Sequence, residues 1–501
     1  MRNFTRSIIL GCVLTPMALA CSGPPKTAAR KLPSAMVDRC AAASRAFAAA
    51  IADGSHQPFA LTLEGGKAPA PWSEQQTAEF LVLASPGTET WVVARGGTGK
   101  SHLAWGLEAL TCNKRMTFRV DVGLDLRAKL ETATPTQPAL ARVLLAQMGV
   151  QAGDDPAAQL HDELGESPWL LLLDGTDELT QAERRKIDAE LDWLMDNKFG
   201  QHIVRFERPG MTDTTPLKPA ETVLHLPDMS CAEVDADLAR RFADPANLKT
   251  ARAWMSAHRM DRKRNSEPCR YVHMSTHRDV ETLADLAQDA LAEAGRQELS
   301  LDEVPADPVR SELYSAWLAH RLRGIATTAE GAMTWLDRIT AQGVLDTREP
   351  DLQLSVNRCA GVAPPGGDDA GVACRRLLQS PVVRKGEASG VTTWANRTVM
   401  DLLMARWLIK SQTDCALLNS AVSEVGSLEI TGMVASLADG RRCLNPIVAA
   451  VCSRGIPVKE IIDFVDEAVP VATRDAAFFA IAGERAKGPC EHGVFAGLQP
   501  Q

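Results

Sequence analysis

Tyrosine is nearly absent: the 501 residues hold 2, against 10 tryptophans. That composition excludes a tyrosine-rich adhesive surface. There is no excess of positive charge either. The 54 Lys and Arg are outnumbered by 63 Asp and Glu, for a formal charge of −9. This excludes a nucleic-acid binder driven by bulk charge, and no nucleic acid is expected as a partner. Beyond the N-terminus no apolar run reaches membrane length, which excludes a multi-span membrane protein. The 12 cysteines are scattered and no pair is spaced Cys-x-x-Cys. Clustered zinc ligands are therefore excluded, and the cysteines are too sparse to predict a disulfide scaffold. No period of 20–50 residues is present over 426–501, which excludes a C-terminal repeat array. What remains is an ordinary globular composition, 45 % apolar and 23 % charged, long enough for two to four domains at roughly 100–200 residues each.

Arg2 and Arg6 precede an apolar stretch, Ile8 to Ala20, and Ala18-Leu19-Ala20 stands directly before Cys21. A positive start, a short apolar core and small residues at the last and third-last positions form the pattern of a secretory signal. Pro16 argues against a folded first helix there. Cys21 is placed as in the lipid-attachment box of bacterial lipoproteins, with Ala18 where that box usually has Leu. The expectation is a signal peptide over 1–20, a linker over 21–36, a possible lipid anchor at Cys21 and a membrane-tethered lipoprotein. The alternative is a cytoplasmic protein.

Glu89 to Ala94 reads as a short buried strand and His102 to Leu110 as a helix with apolar residues on one face. Between them lies Arg95-Gly96-Gly97-Thr98-Gly99-Lys100-Ser101. Strand, Gly-rich turn, helix is the arrangement in which backbone N–H groups aim at a phosphate at the positive end of a helix. Gly96, Gly97, Thr98, Gly99, Lys100 and Ser101 are the nucleotide-binding candidates. Lys100 would face solvent in the empty loop and reach the outer phosphates, and the Ser101 hydroxyl would ligand Mg²⁺. Ala94 occupies the position where the usual pattern opens with Gly.

The run Trp169 to Leu173, apolar throughout, meets Asp174-Gly175-Thr176-Asp177-Glu178. A strand apolar on both faces belongs inside a parallel sheet, and Asp174 falls at its C-terminal end, where such folds place their chemistry. Asp174 is the Mg²⁺ candidate. Asp177 and Glu178 are the candidates for orienting and deprotonating the attacking water. Met116 to Val122, His202 to Phe206 and Thr222 to Leu226 read as further strands. Arg208, just past the second of these, is a candidate sensor of the γ-phosphate.

The acidic segment resembles the modified Walker B motif of NACHT NTPases, of the signal-transducing STAND class of AAA-like ATPases. Arg208-Pro209-Gly210 is similar to the family's sensor segment, with Glu207 where a Ser is usual. Leu226-Pro227 matches the step into a small helical domain, and Ser311 to Leu322 is similar to a helix before the winged-helix domain. Trp394 to Ala405 resembles the winged-helix segment, with Asn396 in place of the His that contacts the β-phosphate and Asp401 in place of Glu. Asn donates a hydrogen bond but adds no charge.

The resemblance spans roughly 86–410. It implies an α/β fold, a P-loop NTPase three-layer sandwich followed by mostly helical and winged-helix-like domains. It divides the chain into an N-terminal helical segment (37–85), the NTPase core (86–226), a small helical domain (227–300), a winged-helix-like region (301–425) and a C-terminal helical region (426–501). It implies slow ATP or GTP hydrolysis with Mg²⁺ driving a signalling switch, Asn396 as a nucleotide contact, and a protein partner or self-association. The alternative is a nucleotide-binding scaffold without turnover. A nuclease-linked defence module has no supporting motif in 410–501. His277-Arg278-Asp279 resembles a kinase catalytic loop, but Ala284 stands where that loop has Asn. The basic cluster Arg259, Arg262, Lys263 and Arg264 reads as a solvated helix end.

Overall fold

The computed structural model describes residues 33–447 apart from 55, 57, 64–70, 131, 135–136, 166, 177–180, 197–199, 209–221, 265–268, 295–303, 305–307, 323–324, 326–327, 348–358, 365–368, 386–391, 395–396, 413, 426–427 and 445. The strands of the main sheet are β1 (Ala60–Leu63), β2 (Trp72–Ser73), β3 (Thr88–Val93), β4 (Met116–Asp121), β5 (Trp169–Asp174), β6 (Gln201–Glu207) and β7 (Thr222–His225). Their order is β2-β1-β7-β3-β6-β5-β4. β7, β3, β6, β5 and β4 run parallel, and β1 and β2 extend the β7 edge antiparallel. β6 therefore separates β3, which leads into the glycine-rich turn, from β5, which ends in Asp174.

The leucine run explains why β5 is central. All six of its residues are buried, and successive side chains serve opposite faces. Leu171 and Leu173 join Phe118, Val120 and Ile203 beneath the helices Ala139–Gln147, Pro156–Leu164 and Gln181–Asp196. Leu170 and Leu172 join Val92, Val204 and Phe206 beneath Glu74–Leu83 and Lys100–Thr111. The result is helix, sheet, helix. The Glu74–Leu83 helix starts at a capping box between Ser73 and Gln76. The strands read from the sequence and the His102–Leu110 helix are present within two residues of their expected ends, and a first helix, Ser34–Ala52, packs on Lys100–Thr111.

Beyond the sheet, Cys231–Arg241, Pro245–Ala257 and His277–Ala294 close a small helical core. A larger one gathers Arg310–Arg321, Ala329–Thr347, Ala370–Gln379, Arg397–Ser411, Cys415–Val425 and Leu428–Ser436 around Trp335 and Tyr314. The two-stranded ribbon Val383–Lys385 with Thr392–Trp394 stands between Ala370–Gln379 and Arg397–Ser411 and gives this part its winged-helix-like form. The fold is thus α/β, a helix–sheet–helix sandwich with flanking helical and winged-helix-like parts.

Two expectations are corrected. All eight cysteines among the described residues are paired: Cys40–Cys112, Cys231–Cys269, Cys359–Cys374 and Cys415–Cys443. Sparse spacing concealed this because each pair is brought together by the fold across 15 to 72 residues. The expectations of a signal peptide, a lipoprotein and a membrane location are corrected as well. Among the described residues no helix is long and apolar enough to cross a membrane. Residues 1–32, with Cys21, lie outside the described residues.

Two outcomes follow from the packing. His202 is buried, with Thr88 Oγ1 2.7 Å from one ring nitrogen and Thr90 Oγ1 3.0 Å from the other. Burial, then the nearby Arg115 charge, pushes its pKa down from 6.5 to about 4. The unfolded chain therefore binds the proton more readily. The stability this contributes is complete above pH 6.5 and is lost as the pH falls toward 4, about 3 kcal/mol in all. In urea unfolding at pH 7 and pH 4.5, His202→Asn is expected to remove that part of the pH slope. Separately, Cys40→Ser with Cys112→Ser opens a closure spanning 72 residues. That double variant is expected to lose about 4 kcal/mol at most, measured by denaturant unfolding under non-reducing conditions.

Candidate nucleotide site

The glycine-rich turn leaves the C-terminal end of β3, where ligands bind in open α/β sheets. The Ala94 amide donates to Glu207 O at 3.0 Å and Leu226 N donates to Val93 O at 3.0 Å. The turn is thus pinned to its neighbours on both sides. Gly97 and Gly99 have φ of +82° and +102°. A Cβ at Gly99 would stand 2.8 Å from the Phe59 ring, and one at Gly97 2.7 Å from Arg278 Cβ. Both positions therefore need glycine for backbone angle and for space. Thr98 Oγ1 donates to Arg95 O at 2.8 Å and tightens the turn.

Lys100 opens the following helix, but it does not face solvent as expected. It is 9 % exposed, and its Nζ donates to Ala94 O at 2.7 Å and Arg95 O at 3.1 Å. The correction has a simple cause: burial of an ammonium requires acceptors, and the loop carbonyls supply them. Ser101 is exposed on the first turn. Asp174 is buried at the end of β5, and its charge contributes to raising the Arg119 pKa. Burial alone would lower that pKa, and the paired Glu108 outweighs it.

Arg208 follows β6 and lies directly against the loop. A Cβ on Gly96 would be 3.0 Å from its guanidinium carbon. Its Nη1 donates to Asp401 Oδ2 at 2.8 Å and pairs with the Glu429 carboxylate. The Gly96 amide donates to Glu429 Oε1. Arg397 Nε donates to the other Asp401 oxygen at 3.1 Å. Two arginines and two carboxylates therefore meet in a buried cluster at the phosphate loop. Behind it, Glu207 accepts from Thr176 Oγ1 at 2.6 Å and pairs at 3.0 Å with Arg205. Arg205 is buried beside Trp91, Glu89 and Asp188, and its pKa is raised: burial would lower it, and the charges of Glu207, Glu89 and Asp188 prevail.

The structure brings together Gly96, Gly97, Thr98, Gly99, Lys100 and Arg208 at one end of the sheet, with Asp174 at the end of β5. Asp177, Glu178 and Asn396 lie outside the described residues. Among the described residues no group of three or more His, Cys, Asp and Glu side chains is arranged to hold a metal. Sequence reasoning missed three contacts. The segment dismissed as a false kinase loop covers the turn: Arg278 N donates to Gly97 O at 3.2 Å. Phe59 walls off Gly99. Glu429 sits in a helix whose sequence, Leu428-Glu429-Ile430-Thr431, carries no distinguishing signal.

No family model and no curated protein matches the chain. Among solved structures it is similar to a Drosophila ORC bound to DNA, at 12 % identity and a TM-score of 0.28, over 72 % of this chain and 99 % of that one. It is also similar to the Aeropyrum pernix ORC1 protein in complex with DNA, at 13 % and 0.32, over 66 % and 91 %. A third match is CDC6P from Pyrobaculum aerophilum, at 13 % and 0.32, over 68 % and 91 %. The similarity is distant. The expectation that excluded nucleic acid on net charge alone is corrected: −9 is a sum over the whole chain and does not exclude a local contact. What those proteins bind is a property of theirs.

Arg208→Gln leaves the Asp401 and Glu429 carboxylates buried without their shared cation. The expected cost is about 3 kcal/mol in urea unfolding, part of it recovered when Glu429→Gln is added.

Proposed function

We propose that the chain binds ATP, with GTP as the alternative, together with Mg²⁺, and works as a NACHT-like conformational switch with slow turnover. One observation carries the reading. The Gly96 amide and Arg208 hold an anionic group at the C-terminal end of β3, beside Lys100. The residues fit a phosphate: the turn has the glycine angles, the amide donor and the adjacent cation that a phosphate oxygen requires. Gly96 to Ser101 and Asn396 would hold the nucleotide, and Ser101 and Asp174 the metal. The metal would supply charge neutralisation on the phosphate oxygens. Asp177 or Glu178 orients and deprotonates water, and Arg208 responds to the outermost phosphate.

A second reading has its own support. The loop is closed over by Glu429, and eight paired cysteines point to folding in an oxidising environment, where a scaffold without turnover would also serve. Lys100→Ala separates binding from its absence. Isothermal titration with ATP–Mg²⁺ is expected to show binding by the parent protein and at least about a hundredfold weaker binding by the variant, the loss of a charged hydrogen-bond donor to phosphate. Equal affinity would remove Lys100 from the site. Glu178→Gln is expected to leave affinity intact and slow phosphate release. No release from the parent protein would favour the scaffold.

A further inference from the structure

We infer that Glu429 is a built-in competitor for the phosphate loop: its carboxylate occupies the place of a nucleotide phosphate and must leave before nucleotide can bind. The inference rests on the nucleotide reading above and adds its regulation. The chemistry is the exchange of one anion for another on the same donors. Glu429 takes the Gly96 N–H and pairs with the Arg208 guanidinium, the two kinds of donor a phosphate oxygen uses. The occupation is close. A Cβ on Gly96 would meet Glu429 Oε2 at 2.7 Å, so no third group fits between loop and carboxylate.

The surroundings favour a removable plug. Glu429 lies in the first turn of Leu428–Ser436, where a carboxylate complements the helix dipole. The next turns anchor the helix through Ile430, Met433 and Val434, buried in the same core as Leu402, Leu403 and Leu408. The Cys415–Cys443 disulfide brackets this helix across 28 residues. The carboxylate is thus held on a stapled element at fixed distance from its target, which gives it a high effective concentration. Asp401 pairs with the same Arg208 Nη1 at 2.8 Å, so withdrawal of Glu429 does not strand a buried guanidinium. Nucleotide meets the loop only in the fraction of molecules with Glu429 withdrawn, and its apparent affinity is reduced by that fraction.

The test compares the parent chain, Glu429→Gln and Glu429→Asp, each with disulfides intact and each shown to unfold cooperatively. Two quantities are measured: amide hydrogen exchange of the peptide covering 94–101 without nucleotide, and ATP–Mg²⁺ affinity. Glu429→Gln keeps the shape and removes the charge. It is expected to speed exchange of the loop and to tighten ATP binding by about tenfold or more. Glu429→Asp keeps the charge but retracts it by one methylene, and is expected to fall between. Unchanged exchange and equal ATP affinity in all three overturn the plug. If loop exchange rises but none of the three binds ATP, the nucleotide reading itself fails and competition fails with it. If ATP binds all three equally while exchange rises, the plug alone is overturned.

Discussion

Arg208 leaves the sheet at the end of β6 and is met by two carboxylates from helices more than 190 residues further along, Asp401 at 2.8 Å and Glu429 beside it. A guanidinium that is 4 % exposed requires such partners, because an unpaired buried charge costs several kcal/mol. The strand order places this requirement at the glycine-rich turn. β6 lies between β3 and β5, so the residue that follows it reaches across to Gly96. The ion cluster thus fixes the winged-helix-like part against the edge of the sheet that carries the glycine-rich turn. What happens to one anion in that cluster is felt by loop and helices together.

Sequence made legible what periodicity and local chemistry control. The all-apolar Trp169–Leu173 run could only be an interior strand, and the glycines before Lys100 could only be a tight turn opening a helix. Those two segments defined the parallel sheet and its working edge. Less visible was what depends on distant pairing. β1 and β2 are short and add to the β7 edge through backbone hydrogen bonds that no side-chain pattern announces. Arg205 sits within β6 with no sequence sign of its role, yet Glu89, Asp188 and Glu207 make it a buried, charged centre.

The site shows the same division. Lys100 was identified by motif, but its inward fold onto the Ala94 and Arg95 carbonyls follows from the backbone path of the turn, which the motif does not spell out. His277-Arg278-Asp279 drew notice for the wrong chemistry. Its position over Gly97 comes from the helical domain folding back on the core. Glu429 had no local signature at all, since one acidic residue in a helix first turn is ordinary. The cysteines were misread for a related reason: their spacing is irregular because the fold, and not a short motif, brings each pair together.

The central claim is that the anion cradle at Gly96 is shared by turns between Glu429 and a nucleotide phosphate. The most direct measurement is a crystal structure of the oxidised protein grown with a non-hydrolysable ATP analogue and Mg²⁺. The account predicts a phosphate oxygen on the Gly96 amide, Lys100 turned outward from the Ala94 and Arg95 carbonyls, and the Glu429 carboxylate withdrawn from the loop. An analogue bound at this loop with Glu429 still accepting from Gly96 would contradict it.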